Sequence, residues 1–231
     1  MLKWLGKNTP FPPPDTALRQ PDGLLAAGGD LSPERLIDAY SQGIFPWFGE
    51  EDPILWWSPD PRLVLFPENL KLSRSLKKAL GKDYEIRVDT AFEEVMRKCA
   101  EPRKDGAGTW ISEQMIEAYC RLHQMGLAHS IETWMEGELS GGLYGIALGR
   151  VFFGESMFSR KTDASKIAFV HLVQQLKRWG YRMIDCQVRT THLVSLGATE
   201  IPRSEFALKL KAWADGPDRT GKWHFDHDLV E

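Results

Sequence analysis

The hydrophobic positions of this chain change period several times, and each change marks an element. From Ala128 onward apolar and polar residues alternate: S-I-E-T-W-M, a turn at Glu136-Gly137, L-S-G-G-L-Y-G-I-A-L, a turn at Gly149-Arg150, then V-F-F-G-E-S-M-F. A period of two broken by two tight turns predicts a three-stranded antiparallel meander. Ile167, Ala168, Leu172 and Leu176 then fall at helical spacing, which predicts a helix capped by Thr162 or Asp163 and running to Trp179, with Gly180 as its stop. Residues 181–188 return to strand character. On that strand alternation sets Asp185 and Gln187 on one face and Ile184, Cys186 and Val188 on the other. Two polar groups projecting together from an apolar strand mark a candidate site.

Upstream the pattern is sparser. Ser32-Pro33-Glu34 supplies a cap, a first-turn proline and an acid, so a helix is predicted to about Gln42, ending at Gly43. Its apolar face, Leu36, Ile37 and Tyr40, is too narrow to stand alone. Residues 1–61 are therefore expected to form a small domain docked on a larger one, 62–231. G-I-F-P-W-F and I-L-W-W-S-P-D-P-R are rich in aromatics but broken by prolines, and read as surface loops or edge strands. A strand is predicted over 62–66 and helices over 72–80, 91–100 and 113–125, the last capped by Ser112 and stopped at Gly126. Residues 101–110 read as a flexible loop ending in Trp110. Meander, helix and returning strand together give an α+β core of the kind used by GNAT acyltransferases.

Composition narrows the function classes. The net charge of −3 over 231 residues gives no global basic field for a nucleic acid, so any such partner needs a local patch. One exists: Lys71, Arg74, Lys77, Lys78 and Lys82 lie in twelve residues without an acid. Nine tryptophans exceed what such a length normally carries, so some are candidates for a binding surface. The odd count of three cysteines, with no C-x-x-C, argues for a reducing compartment. No run is apolar enough for a signal peptide or membrane span, and a soluble cytoplasmic monomer is the expectation. The six histidines are scattered, and the pair in H-F-D-H falls in a tail expected to fray, so no metal site is predicted. Alternation turns Cys186 away from Asp185 and Gln187, which argues against a nucleophilic thiol.

P-D-G-L-L-A-A-G-G-D-L-S, G-I-F-P-W-F, W-W-S-P-D-P-R, G-G-L-Y-G, F-F-G-E-S-M-F-S, A-S-K and I-D-C-Q-V, in order and nearly end to end, resemble the leucyl/phenylalanyl-tRNA protein transferase family. The resemblance implies a small N-terminal domain packed on a GNAT-like C-terminal domain. It implies transfer of leucine or phenylalanine, with methionine a further option, from aminoacyl-tRNA to the N-terminal Arg or Lys of acceptor proteins, marking them for N-end rule degradation. Asp185 would then hold or polarise Gln187, Gln187 would meet the reacting amine or ester, and Glu155 would attract the cationic acceptor residue. Whether Asp185 and Gln187 act as a base or only orient stays open. Asp185→Asn is expected to reduce transfer without unfolding the chain. Leu143, Phe152, Leu172, Leu176 and Ile184 match the family's amino-acid pocket, although Leu143 replaces an expected methionine and Leu172 an expected phenylalanine. Trp47, by the family's motif, and Trp110, by its loop, would stack on the terminal adenine. Lys71, Arg74, Lys77 and Lys78 would contact acceptor-stem phosphates.

An amine attacking an ester runs downhill, so alignment, an unprotonated amine and a stabilised oxyanion suffice, with no cofactor or metal required. The turn S-R-K-T-D-A-S-K before the long helix has no glycine and carries an acid, whereas a CoA enzyme cradles pyrophosphate on glycine-rich backbone there. That disfavours the first alternative, a small-molecule N-acyltransferase. The second, a non-catalytic tRNA-binding module, needs the basic stripe and stacking rings but not the Asp185/Gln187 pair.

Overall fold

A computed structural model describes residues 2–102, 110–216 and 219–230. The chain runs β1 (Lys3–Leu5), β2 (Leu24–Gly28), α1 (Pro33–Ser41), β3 (Phe45–Pro46), β4 (Leu55–Trp57), β5 (Arg62–Leu65), α2 (Arg74–Ala79), β6 (Glu85–Val88), α3 (Phe92–Ala100), α4 (Glu113–Gln124) and β7 (Ala128–Met135). It continues through β8 (Glu138–Leu148), β9 (Val151–Ser159), α5 (Ala164–Arg178), β10 (Met183–Gln187), α6 (Thr191–Ser195), β11 (Thr199–Ile201), α7 (Arg203–Ala214) and α8 (His227–Val230). The expected loop over 101–110 falls largely outside the described residues.

Local chemistry sets the element ends. The Ser32, Ser73 and Ser112 hydroxyls accept from Arg35, Leu76 and Met115 amides and start α1, α2 and α4. The start of α5 differs from expectation: Asp163 sits in the left-handed region with φ 63° and makes no side-chain cap, pairing instead with Lys166 at 2.7 Å.

A small sheet of order β1-β2-β4-β3 carries the N-terminal residues, and a seven-stranded sheet of order β11-β5-β10-β9-β8-β7-β6 carries the rest. β7, β8 and β9 form the expected meander, α5 follows, and β10 returns parallel to β9. The fold is thus α+β, with a small N-terminal layer packed on the core built around the large sheet. One apolar cluster runs without a break from Leu36, Tyr40 and Trp56 into Met96, Tyr119, Phe153 and Met183, joining the small sheet, α3, α4 and one face of the large sheet. α5 covers the opposite face through Ile167, Leu172 and Leu176.

Two segments depart from the sequence reading. The W-W stretch expected at a surface or sheet edge forms β4, which is internal, with Trp56 fully buried and its indole N–H donating to Gly28 O at 2.8 Å. The C-terminal tail expected to fray is docked. Trp223 stacks on the buried His129 with ring centres 3.7 Å apart, and its amide donates to Asp89 Oδ2 at 2.8 Å. The Asp226 amide donates to Gln175 Oε1 at 2.7 Å.

The feature that positions the site is a splay between parallel neighbours. β9 and β10 pair only from Met183↔Val151 to Asp185↔Phe153. Beyond that, β9 stays with β8 while β10 follows β5, so the strands separate and leave a cleft between Gly154–Met157 and Cys186–Val188.

Candidate active site

The cleft opens into a cavity of about 650 Å³. Its walls come from both layers: Phe45, Pro46 and Trp47 from the small one, Leu143, Phe152, Phe169 and Ile184 from the core. Both polar motifs reach it through irregular backbone. In the β8–β9 register Gly145 faces Gly154 and Tyr144 faces Ser156, so Glu155 is the extra residue of a bulge. A Cβ on Gly145 would lie 2.2 Å from Phe153 O and 2.6 Å from the Phe152 ring, which is why this strand carries glycine there.

β10 bulges too. Asp185 pairs with Val64 and Gln187 with Leu63, leaving Cys186 extra, and Gln187 adopts φ 55°. This overturns the alternation expected from the sequence. Asp185 is fully buried on the Arg62 side, while Cys186, Gln187 and Val188 all line the cavity. The argument that Cys186 faces away therefore fails, but burial pushes its thiol far above the usual range, which leaves it a poor nucleophile at neutral pH.

Asp185 accepts two hydrogen bonds from Arg62, Nε to Oδ1 at 2.8 Å and Nη2 to Oδ2 at 2.7 Å. The guanidinium lies 4.8 Å from the Phe45 ring centre and 4.6 Å from that of Phe206, and its Nη1 donates to Gly43 O at 3.1 Å. The same Asp185 Oδ1 accepts the backbone N–H of Gln187 at 3.0 Å. Asp185 thus fixes the bulge that presents Gln187, without itself lining the cavity.

Glu155 gathers three donors. Tyr40 Oη donates to Oε1 at 2.7 Å, Tyr119 Oη to Oε2 at 3.1 Å, and Gln187 Nε2 to Oε1 at 3.3 Å. Tyr40 and Tyr119 also contact each other through their hydroxyls. Burial pushes the Glu155 carboxyl up to about 7; the Tyr40 and Tyr119 hydrogen bonds pull the other way, the Asp185 charge adds to the rise and Arg62 subtracts from it. Burial and the Glu155 charge push both phenols up, so they remain donors. A carboxylate poised near neutral pH beside a primary amide, at the floor of an apolar cavity, can bind an ammonium group or accept its proton.

Of the five apolar residues chosen from the sequence, Leu143, Phe152 and Ile184 line the cavity; Leu172 and Leu176 are core residues behind it. Phe169 and Met157 line it instead. Trp47 and Trp110 both reach the wall, and Trp47 is 41% exposed, with its ring centre 5.6 Å from that of Trp57. Lys71, Arg74, Lys77 and Lys78 lie on and before α2, outside the cavity; all are exposed and form no ion pair among the described residues. The Lys71 amide donates to Leu196 O at 2.9 Å, which ties this stripe to α6, whose first turn contributes His192 and Leu193 to the cavity wall.

Sequence reasoning missed Arg62, Tyr40 and Tyr119 as site residues. Tyrosines on the buried faces of α1 and α4 carried a usable signal, because a buried phenol requires a partner. Among the described residues no cluster of three or more His, Cys, Asp or Glu is placed to hold a metal ion, and no helix is long and apolar enough to cross a membrane.

A family model described as leucyl/phenylalanyl-tRNA protein transferase matches residues 64–211, and a second, described as that family's N-terminal domain, matches 29–60. Relatives carrying the name leucyl/phenylalanyl-tRNA protein transferase include one from Nitrosospira multiformis, 67% identical over 100% of both chains. Others come from Nitrosomonas europaea, 66% identical over 98% of this chain and 96% of the relative, and from Chromobacterium violaceum, 60% identical over 99% of both. A solved ribosomal-protein-alanine N-acetyltransferase from Brucella melitensis biovar Abortus 2308 covers 62% of this chain and 99% of its own at 13% identity and TM-score 0.37, a likeness too low to add to the assignment.

Proposed function

The chain belongs to the leucyl/phenylalanyl-tRNA protein transferase family, and from that premise we propose that its cavity joins an amino acid carried on tRNA to the free N-terminus of an acceptor protein. The observation that carries this reading is a cavity lined at once by Trp47, by Leu143, Phe152 and Ile184, and by Glu155 with Gln187. The apolar wall receives a leucine, phenylalanine or methionine side chain. Trp47 and Trp110 stack on the terminal adenine, and the ester carbonyl then lies at the cavity floor.

The acceptor amine binds Glu155 and Gln187. An α-ammonium group loses its proton near pH 8 (about 7.7–8.0), close enough to the Glu155 carboxylate for transfer between them. The neutral amine attacks the ester carbon, the C–N bond forms, the bond to the ribose oxygen breaks, and that oxygen takes the proton. Gln187 Nε2–H, beside Glu155, serves as the donor to the developing oxyanion, and Asp185 holds the residue in place by accepting its backbone N–H. Residues 1–61 act as the module that brings Trp47 to the cavity, 62–231 as the transferase domain. The acceptors begin with Arg or Lys, the product enters N-end rule degradation, and the enzyme works as a cytoplasmic monomer without a cofactor.

The stripe Lys71, Arg74, Lys77 and Lys78 receives acceptor-stem phosphates, an arrangement supported by its link to α6 at the cavity wall. A Lys77→Ala/Lys78→Ala protein is expected to bind tRNA with a shallower dependence of log affinity on log salt, by about 1 for each phosphate no longer neutralised. Filter binding across a salt series reads this directly, and an unchanged slope removes α2 from the interface.

The reaction is tested by supplying labelled leucyl-tRNA with a peptide beginning with Arg and with the same peptide N-acetylated. Label is expected on the free peptide alone. No label on either, with tRNA still bound, moves the chain to a binding role.

A further inference from the structure

Among the described residues, those lining the cavity include two carboxylates, Glu101 and Glu155, and no lysine or arginine. They differ in what they can offer. Glu155 already accepts from Tyr40, Tyr119 and Gln187 at the floor. Glu101 stands at the rim, and its only hydrogen-bond partners among the described residues are cations: Arg160 Nη2 at 2.6 and 2.9 Å from its two oxygens, and Lys98 Nζ at 3.4 Å. The Arg160 hydrogen bond holds the Glu101 carboxyl below the usual range, so it is fully ionised at neutral pH.

We propose that Glu101 takes the basic side chain of the acceptor's first residue, and that Arg160 occupies this position until the acceptor displaces it. The inference rests on the transfer reaction proposed above, in which the acceptor enters the cavity amine first. With the α-amine at Glu155, a carboxylate is needed nearer the mouth for the guanidinium or ammonium group, and Glu101 is the remaining one on the wall. It already binds a guanidinium in this structure. Exchange is cheap because both partners are half exposed, 50% for Arg160 and 49% for Glu101, and such pairs contribute little net free energy. An incoming Arg that gains the more enclosed side of the same carboxylate replaces Arg160 without leaving a buried charge unpaired.

The test compares transfer to peptides beginning with Arg and with citrulline, its uncharged isostere, in the wild type, Glu101→Gln and Arg160→Met. The ratio of kcat/KM for Arg over citrulline is expected to fall about tenfold in Glu101→Gln, carried mainly by KM. In Arg160→Met the same ratio is expected to rise about two- to fivefold, because the internal competitor is gone. A pair that only braces the surface would lower transfer to both peptides alike in both variants, and that result overturns the proposal. Absence of transfer by the wild type to either peptide overturns the underlying reaction instead, and the proposal with it.

Discussion

Asp185→Ala is expected to lose about 3–5 kcal/mol of folding stability, because Arg62 remains as a buried charge without its counter-ion. That is a large part of the roughly 5–15 kcal/mol that holds a typical domain folded. The loss appears as a lower urea midpoint. Asp185→Asn keeps the shape but halves the acceptor capacity against a bidentate guanidinium, so it too is destabilised, contrary to the sequence-based expectation that it would spare the fold. Activity loss in either single variant therefore mixes two causes. A double variant, Arg62→Met with Asp185→Leu, separates them: removing both charges recovers most of the stability. Transfer stays lost, because the Gln187 amide no longer has its Asp185 acceptor. Recovery of transfer along with stability would show that Asp185 serves the fold alone.

Glu155→Gln is expected to move stability and activity in opposite directions. The Glu155 carboxyl titrates at about 7 in the folded protein against 4.5 ordinarily, so the folded chain holds an extra proton between those values. The sign follows: the group's contribution is fully present below about pH 4.5 and is lost as pH rises through about 7. At pH 8 an uncharged glutamine avoids burying that charge. The variant is expected to be more stable there than the wild type by on the order of 1–2 kcal/mol, after allowing for weaker hydrogen bonds from Tyr40 and Tyr119. Transfer is expected to fall by about 10²–10⁴-fold, the range of a lost general base. Thermal unfolding at pH 5 and pH 8 reads the first effect, since the gap between the two proteins should open only at the higher pH.

The order of elements was legible because it depends on local chemistry. Ser32, Ser73 and Ser112 cap the helices they precede, and the alternation from Ala128 to Phe158 follows the meander. Glu155 and Gln187 stand out in the sequence and both line the cavity, but not in the geometry that strand alternation predicts. A period of two describes a regular strand, and both Glu155 and Gln187 sit where the strand is irregular. A bulge is set by what the neighbouring strands demand, and a glutamine at φ 55° gives no local warning of it. Tyr40, Tyr119 and Glu155 meet across separations of 79, 115 and 36 residues, contacts that helical spacing cannot reveal. Arg62 reads as the polar first residue of R-L-V-L, and it is the packing of Phe45 and Phe206 against its guanidinium, with Asp185 as counter-ion, that makes it a buried cation. The tail was misread because H-F-D-H has no periodicity, while its neighbour Trp223 finds a stacking partner, His129, far back in the chain.

The most direct test of Glu155 as the group that receives the acceptor amine is the pH dependence of transfer at low peptide concentration, measured from pH 5.5 to 8.5 in the wild type and in Glu155→Gln. In the wild type the reacting pair is the ionised Glu155 carboxylate with the ammonium group whose proton it takes, so log kcat/KM should rise with a slope near 1 up to about pH 7 and fall again above about 8, where the peptide amine arrives without that proton. In Glu155→Gln the amine must arrive already neutral, so the rise should continue to about 8 and level there without a fall. The same profile in both proteins, rising to about 8 and levelling there, would contradict the assignment and leave Glu155 a structural member of the Tyr40–Tyr119 cluster.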